Sequence, residues 1–388
     1  MKKYLSVLLA ALMLLTLMVG CGGGNGGNAN PPAQASSPAA GGDGGASTPA
    51  PEGPKVWKVA NVVNGNLGDK SFFDSCEAGL KKLQDEGKIT YKTFELGATD
   101  ADQPKWVSTI DELSAAAEYD IIVCGTYQMD AYLDECAAKY PDQKYFIYDA
   151  EVAQPNVASI TFKQNDLGYL VGTAAALMTS SDMEKINPEK VIGFVGGEDG
   201  PVINDFLTGF IQGAQAADPD VKIDTQYVGN FYDTGRGKEI ANVMVNNKCD
   251  VIWGVAGGAG NGAAEAAAEH DVWFIGVDSD QEATFSANQP QMAAVTIFSG
   301  LKNCGDGIIY MIDQLNAGTI EWGKTTQLGI AEGGVGLTSG GNFAKLPDNI
   351  KKALDEVAPK VTSGEIKVDT AFDESFDIKG LRDSVRPN

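Results

Sequence analysis

Residues 56–96 read VWKVANVVNGNLGDKSFFDSCEAGLKKLQDEGKITYKTFEL. An apolar run, 56–63, gives way to a turn rich in Gly, Asn and Asp, then to a stretch of helical period, then to a β-rich run, 90–96. In the helical stretch Phe73, Cys76, Leu80 and Leu83 recur at spacings of three and four, one buried stripe of a helix. Ser71 with Asp74 three residues later resembles a capping box, and Gly87 closes the segment. Phe72 lies about 100° around the helix from Phe73. The geometry therefore predicts Phe73 in the core and Phe72 facing the ends of the strands. Strand, helix and strand of these lengths form a right-handed βαβ unit, and so a parallel pair.

The alternation persists along the chain. Further strand candidates are 120–126, 144–150, 157–162, 191–197, 221–228, 250–257, 272–278 and 292–298. Helical patterns lie between them at 107–118, 131–140, 165–178, 204–217, 237–247 and 262–270. The expected fold is α/β, and the length beyond the N-terminal tract exceeds one ordinary core, which implies two doubly wound parallel-sheet lobes. Ligands in such sheets sit beyond the C-terminal ends of the strands. That rule selects Gly65 to Phe72, Gly125 to Gln128, Asp149, Gly196 to Asp199, Asn230 to Asp233, Gly257 to Asn261 and Asp278 to Gln281. These turns are rich in Gly, Asp, Asn and aromatic residues, the composition of a polar cleft.

The N-terminus carries Met1-Lys2-Lys3, an apolar stretch at 4–19, then Gly20-Cys21. The stretch is short for a membrane span. A small residue before Cys resembles the lipobox of a lipoprotein signal peptide, so residues 1–20 are expected to be a signal segment and Cys21 to be lipidated. The tract from Cys21 to residue 54 is built from Gly, Pro, Ala, Ser and Asn, the composition of a flexible tether with a reach of roughly 30 Å. The folded part is expected over 55–388.

With 29 Lys and Arg against 52 Asp and Glu, the formal charge is −23. That field disfavours nucleic acid as a partner, and leaves a lipid anchor as the expected membrane contact. Besides Cys21 the cysteines are 76, 124, 136, 249 and 304, an odd number without paired spacing, and they read as small buried hydrophobes. His270 is the only histidine and sits beside Glu269 and Asp271, so a His-based triad or zinc site is excluded. The turn at 255–262, VAGGAGNG, suits a phosphate or the close approach of a neutral ligand. Asp278 and Asp280 could bind Ca²⁺, perform acid–base work, or accept hydrogen bonds from a vicinal diol. Trp106 could line the cleft or join the core.

The motifs GDKSFFDSCEAGL, YDAE, QNDLGYLVGTAAAL, NFYDTGRG, VAGGAGNG, GVDSDQ and FSGLK occur in one order over about 56–360. In that order and spacing they resemble the basic membrane protein family, substrate-binding lipoproteins of ABC importers that include purine nucleoside receptors. The resemblance implies a type I periplasmic-binding-protein fold whose two lobes are joined by a hinge, with the ligand between them. It places lobe 1 at about 55–155 with a return segment near 278–305, and lobe 2 at about 156–277 with the C-terminal part. It implies that Phe72 and Phe231 sandwich a base and that Asp149 hydrogen-bonds it. Gly257, Gly258, Asp278 and Lys302 would hold a ribose, with Asn261 in the same glycine-rich turn. Two positions depart from the family pattern: Phe73 stands where an asparagine is usual, and Asn64 or Asn66 replaces an aspartate.

The function implied is capture of a nucleoside, for an ABC permease, on the outer face of the cell membrane. No cofactor, metal or catalytic residue is implied. The alternatives are the same fold holding a sugar or a signalling molecule, or a nucleoside hydrolase using Asp278 and Asp280.

Overall fold

The computed structural model describes residues 55–387. The expected signal segment, Cys21 and the tether lie outside the described residues.

The first sheet begins β1 (Trp57–Val63), α1 (Phe72–Asp85), β2 (Ile89–Glu95), α2 (Gln103–Ala116), β3 (Ile121–Gly125), α3 (Asp130–Lys139), β4 (Lys144–Tyr148) and β5 (Val157–Phe162). The chain then builds α4 (Gln164–Thr179), β6 (Val191–Gly196), α5 (Pro201–Ala217), β7 (Lys222–Tyr227), α6 (Thr234–Asn246) and β8 (Cys249–Val255). It continues through α7 (Gly257–His270), β9 (Trp273–Asp278), α8 (Gln281–Ser286), α9 (Pro290–Val295) and β10 (Thr296–Lys302). The remaining elements are α10 (Cys304–Ala317), β11 (Lys324–Leu328), β12 (Val335–Leu337), α11 (Asp348–Thr362) and α12 (Ile378–Ser384).

Two six-stranded sheets result, ordered β11-β5-β4-β3-β1-β2 and β12-β10-β9-β8-β6-β7. Every pairing is parallel except β10 with β12. The α/β expectation of two doubly wound lobes therefore holds. The chain passes between the sheets at Lys163, at Asn303 and over 329–334, and these crossings are tied together. Lys163 N donates to Leu328 O at 3.0 Å, and Asn303 N donates to Gly334 O at 2.9 Å.

The expected lobe boundaries need correction. β10, inside the proposed return segment 278–305, pairs with β9 in the second sheet. The return is made instead by α10, which packs on α1, and by β11. β5, assigned above to lobe 2, pairs with β4 in the first sheet. β10 also starts later than the run at 292–298 suggests, because Pro290 opens a short helix that consumes its first residues.

α1 departs from expectation in two ways. Its buried residues are Cys76, Gly79, Leu80 and Leu83, without Phe73. The Phe73 ring instead lies over Gly65, where a Cβ would meet it at 2.4 Å. Nor does Ser71 cap the helix. The Asp69 carboxylate does so, accepting the backbone N–H groups of Ser71 (3.0 Å), Phe73 (2.9 Å) and Asp74 (3.1 Å). The Ser71 hydroxyl is thereby free for another partner.

α4 and α5 pack through GYLVG (168–172) against GFIQG (209–213). A Cβ on Gly209 would stand 1.9 Å from Asn165 O, and one on Gly172 would stand 2.0 Å from Phe210 O. Only glycine permits that backbone approach. α4 packs on β10, and the Phe206 ring of α5 stands 5.1 Å from the Lys302 ammonium.

Candidate ligand-binding cleft

The C-terminal strand ends of the two sheets converge on a cavity of about 300 Å³. The first sheet contributes Asn64, Asn66, Asp69, Phe72 and Phe73 after β1, Thr126 to Gln128 after β3, and Asp149 after β4. The second contributes Glu198 after β6, Asn230 to Tyr232 after β7, Gly257, Gly258 and Asn261 after β8, Asp278 from β9, and Lys302 from β10.

At the floor, Lys302 Nζ lies 2.8 Å from Asp149 Oδ2, and the two side chains are only 3% and 8% exposed. These groups come from opposite lobes. Asp278 lies across the same cation, and its Oδ2 accepts the Ser71 hydroxyl at 2.5 Å, a second link between lobes. Burial pushes the Asp278 carboxyl up to about 6, against the pull of Lys302 and Ser71. Burial likewise raises Asp149, with Lys302 opposing. Burial works against the charge of Lys302, but Asp149 and Asp278 outweigh it and hold the ammonium above the ordinary lysine value. Asp149 and Asp278 both adopt φ 64°, a left-handed conformation uncommon for a residue with a side chain.

Aromatic rings enter from both lobes. Phe72 stacks on Tyr148 with centroids 5.2 Å apart and meets Phe73 edge-on at 5.3 Å. Lys302 Nζ stands 5.1 Å from the centroid of Phe72 and 5.1 Å from that of Phe206. Phe231 meets Tyr127 edge-on at 6.5 Å. Its ring lies over Gly197, where a Cβ would meet Phe231 Cε1 at 2.2 Å.

Further bonds join the lobes along the rim. Tyr127 and Gln128 donate to Glu198 at 2.6 and 3.2 Å, and Asn261 Nδ2 donates to Asp69 O at 3.0 Å. Lys70 O accepts from Ser279 Oγ and Gln281 Nε2 at 2.8 and 3.1 Å. Among the described residues no cluster of three His, Cys, Asp or Glu side chains could hold a metal ion.

The family model for PnrA-like ABC transporter substrate-binding proteins matches residues 56–371. The chain belongs to the basic membrane protein family. A Listeria monocytogenes relative, the CD4+ T-cell-stimulating antigen, is 32% identical over 81% of this chain and 88% of its own length. The ABC transporter nucleoside-binding protein BmpA of Lactococcus lactis is 29% identical over 77% of this chain and 86% of its own. Among solved structures, an ABC-transporter solute-binding protein of Aeropyrum pernix K1 aligns with a TM-score of 0.72 and 25% identity. That alignment covers 85% of this chain and 99% of that one. The fold is therefore that of periplasmic-binding proteins, and this family member is a substrate-binding protein of the ABC-transporter class.

In this basic membrane protein, Phe72, Asp149, Phe231, Gly257, Gly258, Asp278 and Lys302 all line the one cavity, as do Asn64, Asn66, Phe73 and Asn261. Trp106 does not. It is 2% exposed in the core beneath α2, and its indole N–H donates to Gly97 O at 2.8 Å. Asp280, paired with Asp278 in the sequence reading, is diverted to cap α8, where it accepts from Ala283 N at 3.1 Å. The strand-end rule covers the turns that hold Asp69, Tyr127, Gln128 and Glu198, but no motif distinguishes these four residues within them. Glu198 has no signal of its own beyond that rule, because its partners Tyr127 and Gln128 sit in the facing lobe.

Proposed function

We propose that this protein is a lipid-anchored extracytoplasmic receptor that binds a nucleoside, a purine nucleoside above all, and presents it to an ABC permease. The observation that carries the reading is one cavity lined by Phe72 and Phe231 from opposite lobes, with a carboxylate–lysine–carboxylate floor. The two rings would stack on a planar base, worth roughly 1–3 kcal/mol each by analogy with nucleic-acid recognition. Ser71 occupies one oxygen of Asp278, leaving the other to accept from a ribose hydroxyl while Lys302 donates. Asp149 would accept from the base. The nucleoside-binding relative from Lactococcus lactis supports the same ligand class. Cys21 would carry the anchor, and no described helix is long and apolar enough to cross a membrane.

A thermal-shift panel of nucleosides, free bases and sugars tests the proposal. Adenosine, guanosine or inosine at a hundred times its Kd should stabilise by about 2.7 kcal/mol, a rise of about 4 °C for a chain of this size. Phe72→Ala and Asp278→Ala should each abolish the shift at that concentration. A response to sugars with none to nucleosides would overturn the reading. Release of free base during incubation would turn it toward hydrolysis.

A further inference from the structure

Asn64 follows β1, is 2% exposed and lines the cavity, yet its Oδ1 is buried without a hydrogen-bond partner. Its Nδ2 is fully used, donating to Thr126 Oγ1 at 3.0 Å and to Gln128 Oε1 at 3.1 Å. An amide can present either end, so something must fix its orientation. The Gln128 amide group in turn donates from Nε2 to Glu198 Oε1 at 3.2 Å, while the Tyr127 hydroxyl donates to Glu198 Oε2 at 2.6 Å. A carboxylate only accepts. Glu198 therefore compels Gln128 to turn its NH₂ outward and its carbonyl inward. That carbonyl compels Asn64 to direct its NH₂ toward Gln128 and keeps Oδ1 for something else. A buried acceptor left open is costly unless a partner arrives.

Resting on the nucleoside reading above, we propose that Glu198 is a remote specificity-determining residue. Through Gln128 it sets Asn64 as an obligate acceptor, so the site selects ligands whose ring edge carries an N–H or NH₂ donor. Glu198 belongs to the second lobe, whereas Asn64 and Gln128 belong to the first. The polarity of the site is thus set only when the lobes are closed, and discrimination is made at closure.

The test compares adenosine and inosine with purine riboside, which shares the sugar and ring system but lacks a donor at the six-position edge, by isothermal titration. The unaltered protein should prefer the better donor-bearing nucleoside by at least about tenfold. Glu198→Gln places an amide that can donate, freeing Gln128 and Asn64 to turn over, and the preference should fall below about threefold. Gln128→Leu, which leaves the Tyr127–Glu198 bond in place, should flatten the preference as well, and so should Asn64→Ala. Circular dichroism confirms folding, and Gln128→Leu serves if Glu198→Gln fails to fold. Nucleoside binding without a preference in the unaltered protein, or a preference retained in Glu198→Gln, would overturn the relay alone. Absence of binding by any nucleoside would overturn the nucleoside reading itself.

Discussion

Replacing Lys302 by methionine preserves most of the side-chain volume and removes the one cation on the cavity floor. Asp149 and Asp278 would then share a buried site with nothing to offset their charge. Breaking a buried ion pair by removing one partner costs about 3–5 kcal/mol. Asp149 and Lys302 come from opposite lobes, so opening would part Asp149 from the cation and leave Lys302 beside Asp278 of its own lobe. The penalty therefore falls on closure over the ligand rather than on folding. At about 1.4 kcal/mol per decade, Kd should rise by roughly two to three and a half orders of magnitude, while the ligand-free Tm moves little.

Titration calorimetry across pH distinguishes this account from simple loss of a hydrogen bond. Lys302 holds both carboxyls below the values burial alone would impose. Without it they rise further, so mild acid should neutralise them and restore part of the affinity. The gap between Lys302→Met and the unaltered protein should narrow as pH falls from 7.5 to 5.5. A Kd within fivefold of the original, or a gap that widens in acid, would refute the reasoning.

Three other outcomes follow from the same physics. Burial raises Asp205, Asp250 and Asp278 to about 6, so the folded state favours their protonated forms. Tm should then climb as pH falls from 7.5 to 5.5, because Asp102 and Asp218, held near 2, lose their contribution only in stronger acid. Gly209→Ala drives a methyl to 1.9 Å from Asn165 O, and parting α4 from α5 should cost at least about 1–3 kcal/mol in denaturant titration. The thiols of Cys76, Cys124, Cys136, Cys249 and Cys304 are buried, with Cys76 pushed up to about 12. All five should resist Ellman's reagent until denaturant is added, and rapid modification of any of them in the native protein would contradict the core packing.

The elements legible in the sequence are those whose burial leaves an apolar signature. β3, β6 and β8 are covered on both faces and appear as continuous apolar runs. β11, KTTQL, is an edge strand buried only at its last residue, and β12 has three residues, so neither stood out and the return to the first sheet was misplaced. Helical period placed Cys76, Leu80 and Leu83 correctly but not Phe73, because the first turn of a helix at a cleft has no neighbour on its inner side. Glycine at 65 settles that ring, and no periodicity encodes it. Ser71 departs from the capping-box pattern for a related reason: Asp69 takes the capping work, and the hydroxyl finds Asp278 some two hundred residues away.

Composition points to the cleft because the two sheets repeat one plan. Asp149 ends the fourth strand of the first lobe and Asp278 the fourth of the second, and both are held at φ 64°. A left-handed residue at a strand end turns the chain sharply and throws its side chain over the edge of the sheet. Performed once in each lobe, that turn aims two carboxylates at one point from opposite directions. Like charges so placed repel, and burial raises both values further. The two carboxylates can share one floor only with a cation between them, and Lys302, at the end of β10 beside the crossing at Asn303, supplies it. The residue that neutralises the floor is therefore mounted next to the connection about which the lobes would move, where small rotations displace it least. Its ammonium can remain in register with Asp278 of its own lobe while Asp149 arrives and departs, which makes the Asp149 bond the one that reports closure.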